Sequence, residues 1–304
     1  MGLDHAYQED IITLKKYHSY LLPLFFVAVI FSLTLFAGKI DSSTSATVIT
    51  GAETRGEIHN RRIPVQETAP VQPPLTDPKL NATATPNRQG KSLPILMYHE
   101  ITDGPSSLYV TADNFRAQML YLRDNGFNVI TMTQAQALLA QDQIPAKTVV
   151  ITFDDGYVSV FNNAWPVLQA LNFPATVYVI SSFPGLYNYL TWDQIKIMHS
   201  GGIEIGSHTK THPALTTVSS AQLTDEIAGS KQVLEEQLGV PIYSFCYPTG
   251  AFNQYTPPAV KDAGYTSAVT IVSRSATTQD NSFLIPRIRV SKGTSVSNFA
   301  KLLN

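Results

Sequence analysis

The sequence predicts an α/β domain over residues 92–304, built as a (β/α) barrel with mainly parallel strands, behind one apolar N-terminal span and a linker. Three observations predict it. Residues 17–38 contain no Lys, Arg, Asp or Glu. Residues 39–91 are rich in Pro, Ser and Thr, and their apolar residues show no period of 2 or 3.6. From Ser92 onward, short β-rich runs alternate with amphipathic helical stretches, the pattern of a parallel sheet. About eight strands in about 213 residues fits a single barrel, with an open doubly wound sheet as the alternative.

Residues 1–20 carry two basic and three acidic groups and are expected to be cytoplasmic. The run Leu21–Ala37 is almost unbroken apolar sequence, and a span over 21–38 is just long enough to cross a membrane. Lys15 and Lys16 precede it, so the positive-inside rule leaves everything after it outside the cytoplasmic membrane. A cleaved signal peptide is the rival, with a weak cleavage site at Thr44-Ser45-Ala46; a buried core helix is a third reading. In the linker, 39–91, six prolines fall between Pro64 and Pro86. Such a tether suits a head working at a distance from the membrane.

The expected strands are Leu93–Tyr98, Asn128–Thr131, Thr148–Phe153, Ala175–Ile180, Ile203–Gly206, Ile242–Tyr247, Thr266–Thr270 and Leu284–Val290. Phe115, Met119 and Leu122 recur at helical spacing and Gly126 stops that run. Leu223, Ile227, Leu234 and Leu238 do the same, ending at Gly239-Val240-Pro241; helices are also expected at Val158–Leu171 and Pro257–Ala263.

Charge and composition exclude several classes. Charged residues are 14% of the chain, and residues 92–304 hold 12 basic against 15 acidic groups. No basic face for a nucleic acid is expected from that balance. Neither a G-x-G-x-x-G nor a G-x-x-x-x-G-K-[ST] motif occurs, so nucleotide binding has no support. One cysteine, Cys246, excludes an internal disulfide and a multi-cysteine zinc site.

The chemistry lies at the strand ends. His99 comes directly after the first strand, Asp154-Asp155-Gly156 after the third, Ser207-His208-Thr209-Lys210-Thr211-His212-Pro213 after the fifth and Pro248-Thr249-Gly250 after the sixth. Strand C-termini of a parallel fold share one face, where active sites form. Asp154-Asp155-Gly156 alone also reads as an ordinary turn, and two histidines at i, i+4 also read as a pair of surface residues. Together, the imidazoles of His208 and His212, on one side of a short helical turn, and one carboxylate make three protein ligands with an open position. That is a catalytic divalent-metal arrangement, Zn2+ first and Co2+, Ni2+ or Mn2+ as alternatives, with a bound water of lowered pKa.

Thr152-Phe153-Asp154-Asp155-Gly156 and Ser207-His208-Thr209-Lys210-Thr211-His212-Pro213 resemble the motifs of the polysaccharide deacetylases, the carbohydrate esterase family 4 or NodB-homology domain. Tyr98-His99 and Tyr247-Pro248-Thr249-Gly250 look like the branch of biofilm poly-N-acetylglucosamine deacetylases. The resemblance covers roughly 92–304 and implies a distorted β/α barrel. It implies Asp154 as general base and Asp155, His208 and His212 as metal ligands. It implies water attack on an N-acetyl carbonyl, with an oxyanion donor near Thr249 beside Tyr247, and release of acetate.

The departures from the family pattern set further expectations. The usual Arg-Pro-Pro-Tyr motif stands here as Cys246-Tyr247-Pro248-Thr249, so the arginine that orients the base must come from elsewhere. Arg287 is the candidate, a surface arginine the alternative; Cys246 is expected to be a small buried hydrophobe. No histidine follows His212, so the usual late Leu-x-His motif is absent and His99 is the available general acid. Trp192 is a candidate to line a sugar site, or else a core residue opening a helix capped by Thr191 and Gln194. The function expected is a membrane-anchored, metal-dependent deacetylase of an acetylated polysaccharide, an N-acetylglucosamine-containing polymer favoured. The rivals are an inactive carbohydrate-binding relic of the fold and a metal-dependent peptide amidase.

Overall fold

The computed structural model describes residues 92–303. The segments expected at 1–20, 21–38 and 39–91 lie outside the described residues; among the described residues, no helix is long and apolar enough to cross a membrane.

Eight strands form: β1 Ile95–Tyr98, β2 Asn128–Ile130, β3 Thr148–Phe153, β4 Ala175–Val179, β5 Ile203–Ser207, β6 Ser244–Cys246, β7 Ser267–Val269 and β8 Ile288–Arg289. The helices between and after them are α1 Ala112–Asp124, α2 Met132–Ala140, α3 Trp165–Leu171, α4 Trp192–Ser200, α5 Ser220–Thr224, α6 Ser230–Leu238, α7 Thr256–Asp262 and α8 Val296–Leu302. All eight expected strands are present, several trimmed at the ends. α2 and α8 are not among the helices expected from the sequence. Two helices expected to be regular contain π-helical turns, Val160–Ala164 before α3 and Asp225–Gly229 between α5 and α6.

Every strand pair is parallel, in the order β7-β6-β5-β4-β3-β1-β8, with β2 paired to β3. The order lacks the reversal of a doubly wound sheet. β2 pairs Thr148–Val150 along the edge of β3 whose later residues, Thr152 and Phe153, pair with β4. The segment carrying β8 ties the ends of the path. Ile285 exchanges hydrogen bonds with Ala268 and Thr270 near β7, and Ile288 and Arg289 pair with β1.

β1, β3 and β4 are buried along their whole length, as parallel strands covered on both faces must be. Alternate residues feed two clusters. Leu96, Tyr98, Val149, Ile151, Phe153, Val177, Val179 and Phe245 pack against the helices. Ile95, Val150, Tyr178, Cys246, Val269 and Ile285 form the other layer. That second layer also holds Met132 and Ala135 of α2. The Met132 N–H donates to Thr176 Oγ1 at 3.0 Å, near the start of β4. α2 therefore plugs the end opposite the strand C-termini.

Candidate active site

The chain leaves β3 through Asp154 and then turns sharply. Asp155 and Gly156 are both left-handed, at φ 71° and 78°, a conformation Asp tolerates better than bulkier residues and Gly adopts freely. The turn expected of Asp-Asp-Gly thus exists, and it divides the two carboxylates between different partners.

Asp154 is buried and faces Arg287. The guanidinium grips it at both oxygens, Nη1 to Oδ1 at 2.6 Å and Nη2 to Oδ2 at 2.7 Å. Arg287 is itself fully buried, which excludes the surface reading. Its Nε donates to the Thr270 carbonyl at 3.1 Å, its Nη1 to Thr152 Oγ1 at 3.0 Å, and its charge lies 5.5 Å from the Tyr178 ring centroid. Burial pushes the Asp154 pKa up, but the charge and hydrogen bonds of Arg287, with His99 and His208, hold it below the usual carboxylate range. Asp154 is an ionised acceptor held in one orientation.

His99, at the end of β1, places Nε2 at 3.9 Å from Asp154 Oδ2. Burial lowers its pKa, only partly offset by Asp154 and Asp155. The ring is neutral near pH 7 beside the carboxylate.

Asp155 faces the other two histidines. His208 Nε2 stands 3.3 Å and His212 Nε2 3.4 Å from the same oxygen, Oδ1. The loop that carries them is not the helical turn expected. Thr209 and His212 are left-handed, at φ 66° and 62°, and Pro213 further disfavours a right-handed helical turn at His212. The imidazole rings still meet, with centroids 4.7 Å apart. His208 Nδ1 lies 2.8 Å from the Cys246 carbonyl, and that contact makes Nδ1 the donor and turns Nε2 toward Asp155.

The donor set fits a divalent cation. Asp155, His208 and His212 each offer one atom, all within 4.8 Å of one another. Ligands on a tetrahedral ion with bonds of about 2.0–2.2 Å sit roughly 3.3–3.5 Å apart, which matches the two separations from Oδ1. Burial would raise the Asp155 carboxyl, yet His208, His212 and His99 hold it well below the usual range. Burial works to lower His208, but its contacts with Cys246 and Asp155 raise it well above the ordinary value, whereas burial and the His208 charge push His212 down to about 4. Asp154, His208 and Cys246 also cluster, but Arg287 Nη2 lies 3.1 Å from the Cys246 sulfur and fills that space with a positive charge. Cys246 is buried as expected, and it does more than pack: its thiol is 3.6 Å from Asp154 Oδ2.

The remaining expected residues are placed less directly. Thr249 is left-handed, at φ 57°, in the tight turn Pro248–Gly250. The amides of Tyr247, Gly250 and Ala251 are hydrogen-bonded; the Thr249 N–H has no partner among the described residues. The Tyr247 ring is buried and its hydroxyl donates to the Phe283 carbonyl at 2.9 Å, so its side chain holds the wall rather than presenting a free hydroxyl. Trp192 opens α4 and packs against the core, with the Thr191–Gln194 capping box formed.

Sequence reasoning missed a layer behind these groups. Glu100 is buried and joins three strand-end loops, accepting from Ser159 Oγ at 2.7 Å and Asn188 Nδ2 at 2.9 Å. Tyr157 and Tyr189 stack beside it, with centroids 5.1 Å apart. Glu226 is buried behind the His208–His212 loop. Their residue types are those of surface loops and helices, and no local spacing marks them.

The family profile described as Polysaccharide deacetylase matches residues 141–268. The Bacillus subtilis protein YxkH, whose name places it among the polysaccharide deacetylases, is 38% identical over 208 residues, covering 68% of this chain and 74% of that protein. A Poly-beta-1,6-N-acetyl-D-glucosamine N-deacetylase of Staphylococcus aureus strain NCTC 8325 is 25% identical over 196 residues, 60% of this chain and 68% of that protein. Among solved structures, the Streptococcus pyogenes deacetylase PplD in complex with acetate superposes with a TM-score of 0.68 at 29% identity, over 70% of this chain and 98% of that one. IcaB from Ammonifex degensii gives 0.62 at 26% identity, over 71% and 98%. With 38% identity to YxkH over 208 aligned residues, and with the paired carboxylates and paired imidazoles on one rim, the chain belongs to the polysaccharide deacetylase family.

Proposed function

We propose that this chain is a metal-dependent deacetylase that removes N-acetyl groups from an extracytoplasmic polysaccharide and releases acetate. The division of the adjacent carboxylates carries the reading: Asp154 is clamped by Arg287, and Asp155 faces two imidazoles. Asp155, His208 and His212 would hold a divalent cation, Zn2+ first and Co2+, Ni2+ or Mn2+ as alternatives, which supplies Lewis-acid polarisation and acidifies water.

The chain's own groups then have separable tasks. Asp154 accepts the proton of the attacking water. Its low proton affinity means that the proton is passed on rather than kept, and His99 Nε2 is 3.9 Å away to receive it. His99 delivers the proton to the departing nitrogen. Arg287 stops Asp154 from swinging toward the cation. The Thr249 N–H is the oxyanion donor. Tyr247 braces that turn, and Trp192, packed against the core at the start of α4, is assigned no part in the chemistry.

The tie of residues 285–290 between β7 and β1 supports reading the domain as a distorted (β/α) barrel. The apolar span at 21–38 supports a single-pass anchor with the catalytic domain outside, and the linker at 39–91 gives it reach. The Staphylococcus aureus relatives, named for poly-N-acetylglucosamine, favour an N-acetylglucosamine polymer. Arg287 clamps Asp154 where the arginine at Cys246 is missing, which answers one of the two grounds for an inactive relic; the absent late histidine is the other.

Acetate release tests the reading. Purified chain loaded with Zn2+ is expected to release acetate from β-1,6- and β-1,4-linked N-acetylglucosamine oligomers, to lose that activity on chelation and to regain it with Zn2+. Acetate from acetylated peptides alone would favour the amidase; none from any acetylated polymer would favour the relic. An O-acetylated xylan arm reports whether esters are also cleaved.

A further inference from the structure

The two proposed histidine ligands sit on a loop that has no regular hydrogen bonding of its own. Thr209 and His212 both hold left-handed backbone without being glycine. Such residues persist only when the surroundings over-determine them. The loop is held on one side by the segment just after β4: the Ser181 and Ser182 amides donate to the Thr209 and Lys210 carbonyls, each at 3.0 Å.

Its other side rests on a single carboxyl group. Glu226 Oε2 accepts from the consecutive amides of Lys210 at 2.9 Å and Thr211 at 2.8 Å, and Oε1 accepts from Thr211 Oγ1. Both oxygens are thus engaged, and Glu226 is only 7% exposed. Glu226 lies in the π-helical turn Asp225–Gly229, and the same helical segment reaches the loop's start. Ser230 Oγ meets Ser207 Oγ at 2.7 Å, and Ser207 Oγ accepts from the Thr209 amide at 3.2 Å. Inside the loop, Thr209 Oγ1 accepts from the His212 amide at 3.0 Å. His208 is fixed from behind by the Cys246 carbonyl. His212 has no such ring contact from behind among the described residues, and its place depends on the backbone between the two rings.

We propose that Glu226 is the positioning residue that sets the His208–His212 spacing, and through it the affinity of the site for a divalent cation. This role rests on the metal reading of Asp155, His208 and His212. Glu226 touches neither substrate nor cation; it acts through the Lys210 and Thr211 amides. Gln at this position keeps an oxygen for both amides and an NH2 group for Thr211 Oγ1, so the role is one of geometry rather than charge. Asp225, the neighbouring acid, pairs with Lys210 Nζ at 2.9 Å on the exposed surface and holds no backbone of the loop.

Zn2+ titration of the metal-free, full-length chain against a chromophoric chelator tests this, together with thermal melting of each metal-free variant. Glu226→Ala is expected to raise the Zn2+ Kd by about 10–100-fold, the usual effect of losing a group that orients a metal ligand, at a temperature where the variant is folded. Glu226→Gln and Asp225→Ala are expected to stay near the wild-type Kd. Should Glu226→Ala not fold, Glu226→Asp, one methylene too short to span both amides and Thr211, is expected to weaken binding in the same direction. A lowered melting temperature with a wild-type Kd would make Glu226 merely structural and overturn the proposal. Glu226→Gln as weak as Glu226→Ala would overturn it too. A His208→Ala control that binds as tightly as wild type would instead overturn the metal reading, and this one with it.

Discussion

Asp154 and Asp155 are neighbours in sequence with opposite partners, and the left-handed backbone of Asp155 parts their side chains. The consequence is that amide substitutions at the two positions should differ in kind. Asp155→Asn, His208→Ala and His212→Ala are each expected to lose bound metal and activity together, since three ligands leave none to spare. Asp154→Asn is expected to lose activity and keep metal, read by metal analysis of the purified variants; an emptied site in Asp154→Asn would reverse the two roles. Because His208 carries a raised pKa in the metal-free site, metal must displace its proton. Affinity should therefore tighten as pH rises toward that pKa and level off above it, which Zn2+ titration at several pH values would show. His99→Ala is expected to slow amide deacetylation by about 10²–10⁴-fold at unchanged metal content. An activated aryl acetate, whose leaving group needs no proton, should suffer much less; equal losses on both would remove His99 from the acid role. The residues legible in the sequence are those whose chemistry is rare: adjacent carboxylates after a strand, two close histidines, an arginine near a late strand. The Cys246 carbonyl that orients His208 is not legible there, because every residue has a carbonyl.

At the scale of elements, alternation of apolar runs predicts all eight strands, since burial on both faces leaves an apolar signature. It does not predict the π-helical turns at Val160–Ala164 and Asp225–Gly229, which no apolar spacing marks. Nor does it predict the irregular His208–His212 loop: the i, i+4 spacing suggests a short helical turn, whereas left-handed backbone at Thr209 and His212 breaks it. β5 shows how an element tunes the site it carries. A Cβ on Gly206 would stand 2.6 Å from two Tyr178 ring atoms and 3.0 Å from the Ser244 carbonyl. Tyr178 is buried, its hydroxyl meets Ser244 Oγ at 2.7 Å, and its ring lies beside Arg287. Gly206→Ala must therefore displace the ring that lies beside the guanidinium holding Asp154. It is expected to cost about 1–3 kcal/mol of stability, the usual range for overpacking a core, and to lower activity more than metal content. Urea unfolding and metal analysis of the variant check both; wild-type stability would mean that Tyr178 yields freely.

For the whole molecule, the strand-end rim gathers groups from β1, β3, β5, β6 and the segment before β8, so the site exists only when the sheet path is tied through residues 285–290. What that head can reach depends on how the chain is delivered. Residues 17–38 carry no charge, and Lys15 and Lys16 stand just before them. Inserting such a run as a span leaves the two lysines on the cytoplasmic side and carries the remainder across. The acidic residues Asp4, Glu9 and Asp10 before the span are unlike the basic leading region of a signal peptide. A reporter enzyme fused after Asn304, active only outside the cytoplasm, is therefore expected to give signal. The full-length chain is expected to stay with membranes through a high-salt wash, which screens surface charge and leaves apolar insertion intact. Replacing Val27, Val29 and Phe31 by lysine should abolish both results, because charged residues near the middle of a span each cost about 2.5–3.5 kcal/mol on insertion. A soluble mature form beginning near residue 47 would show instead that the segment is a signal removed after export.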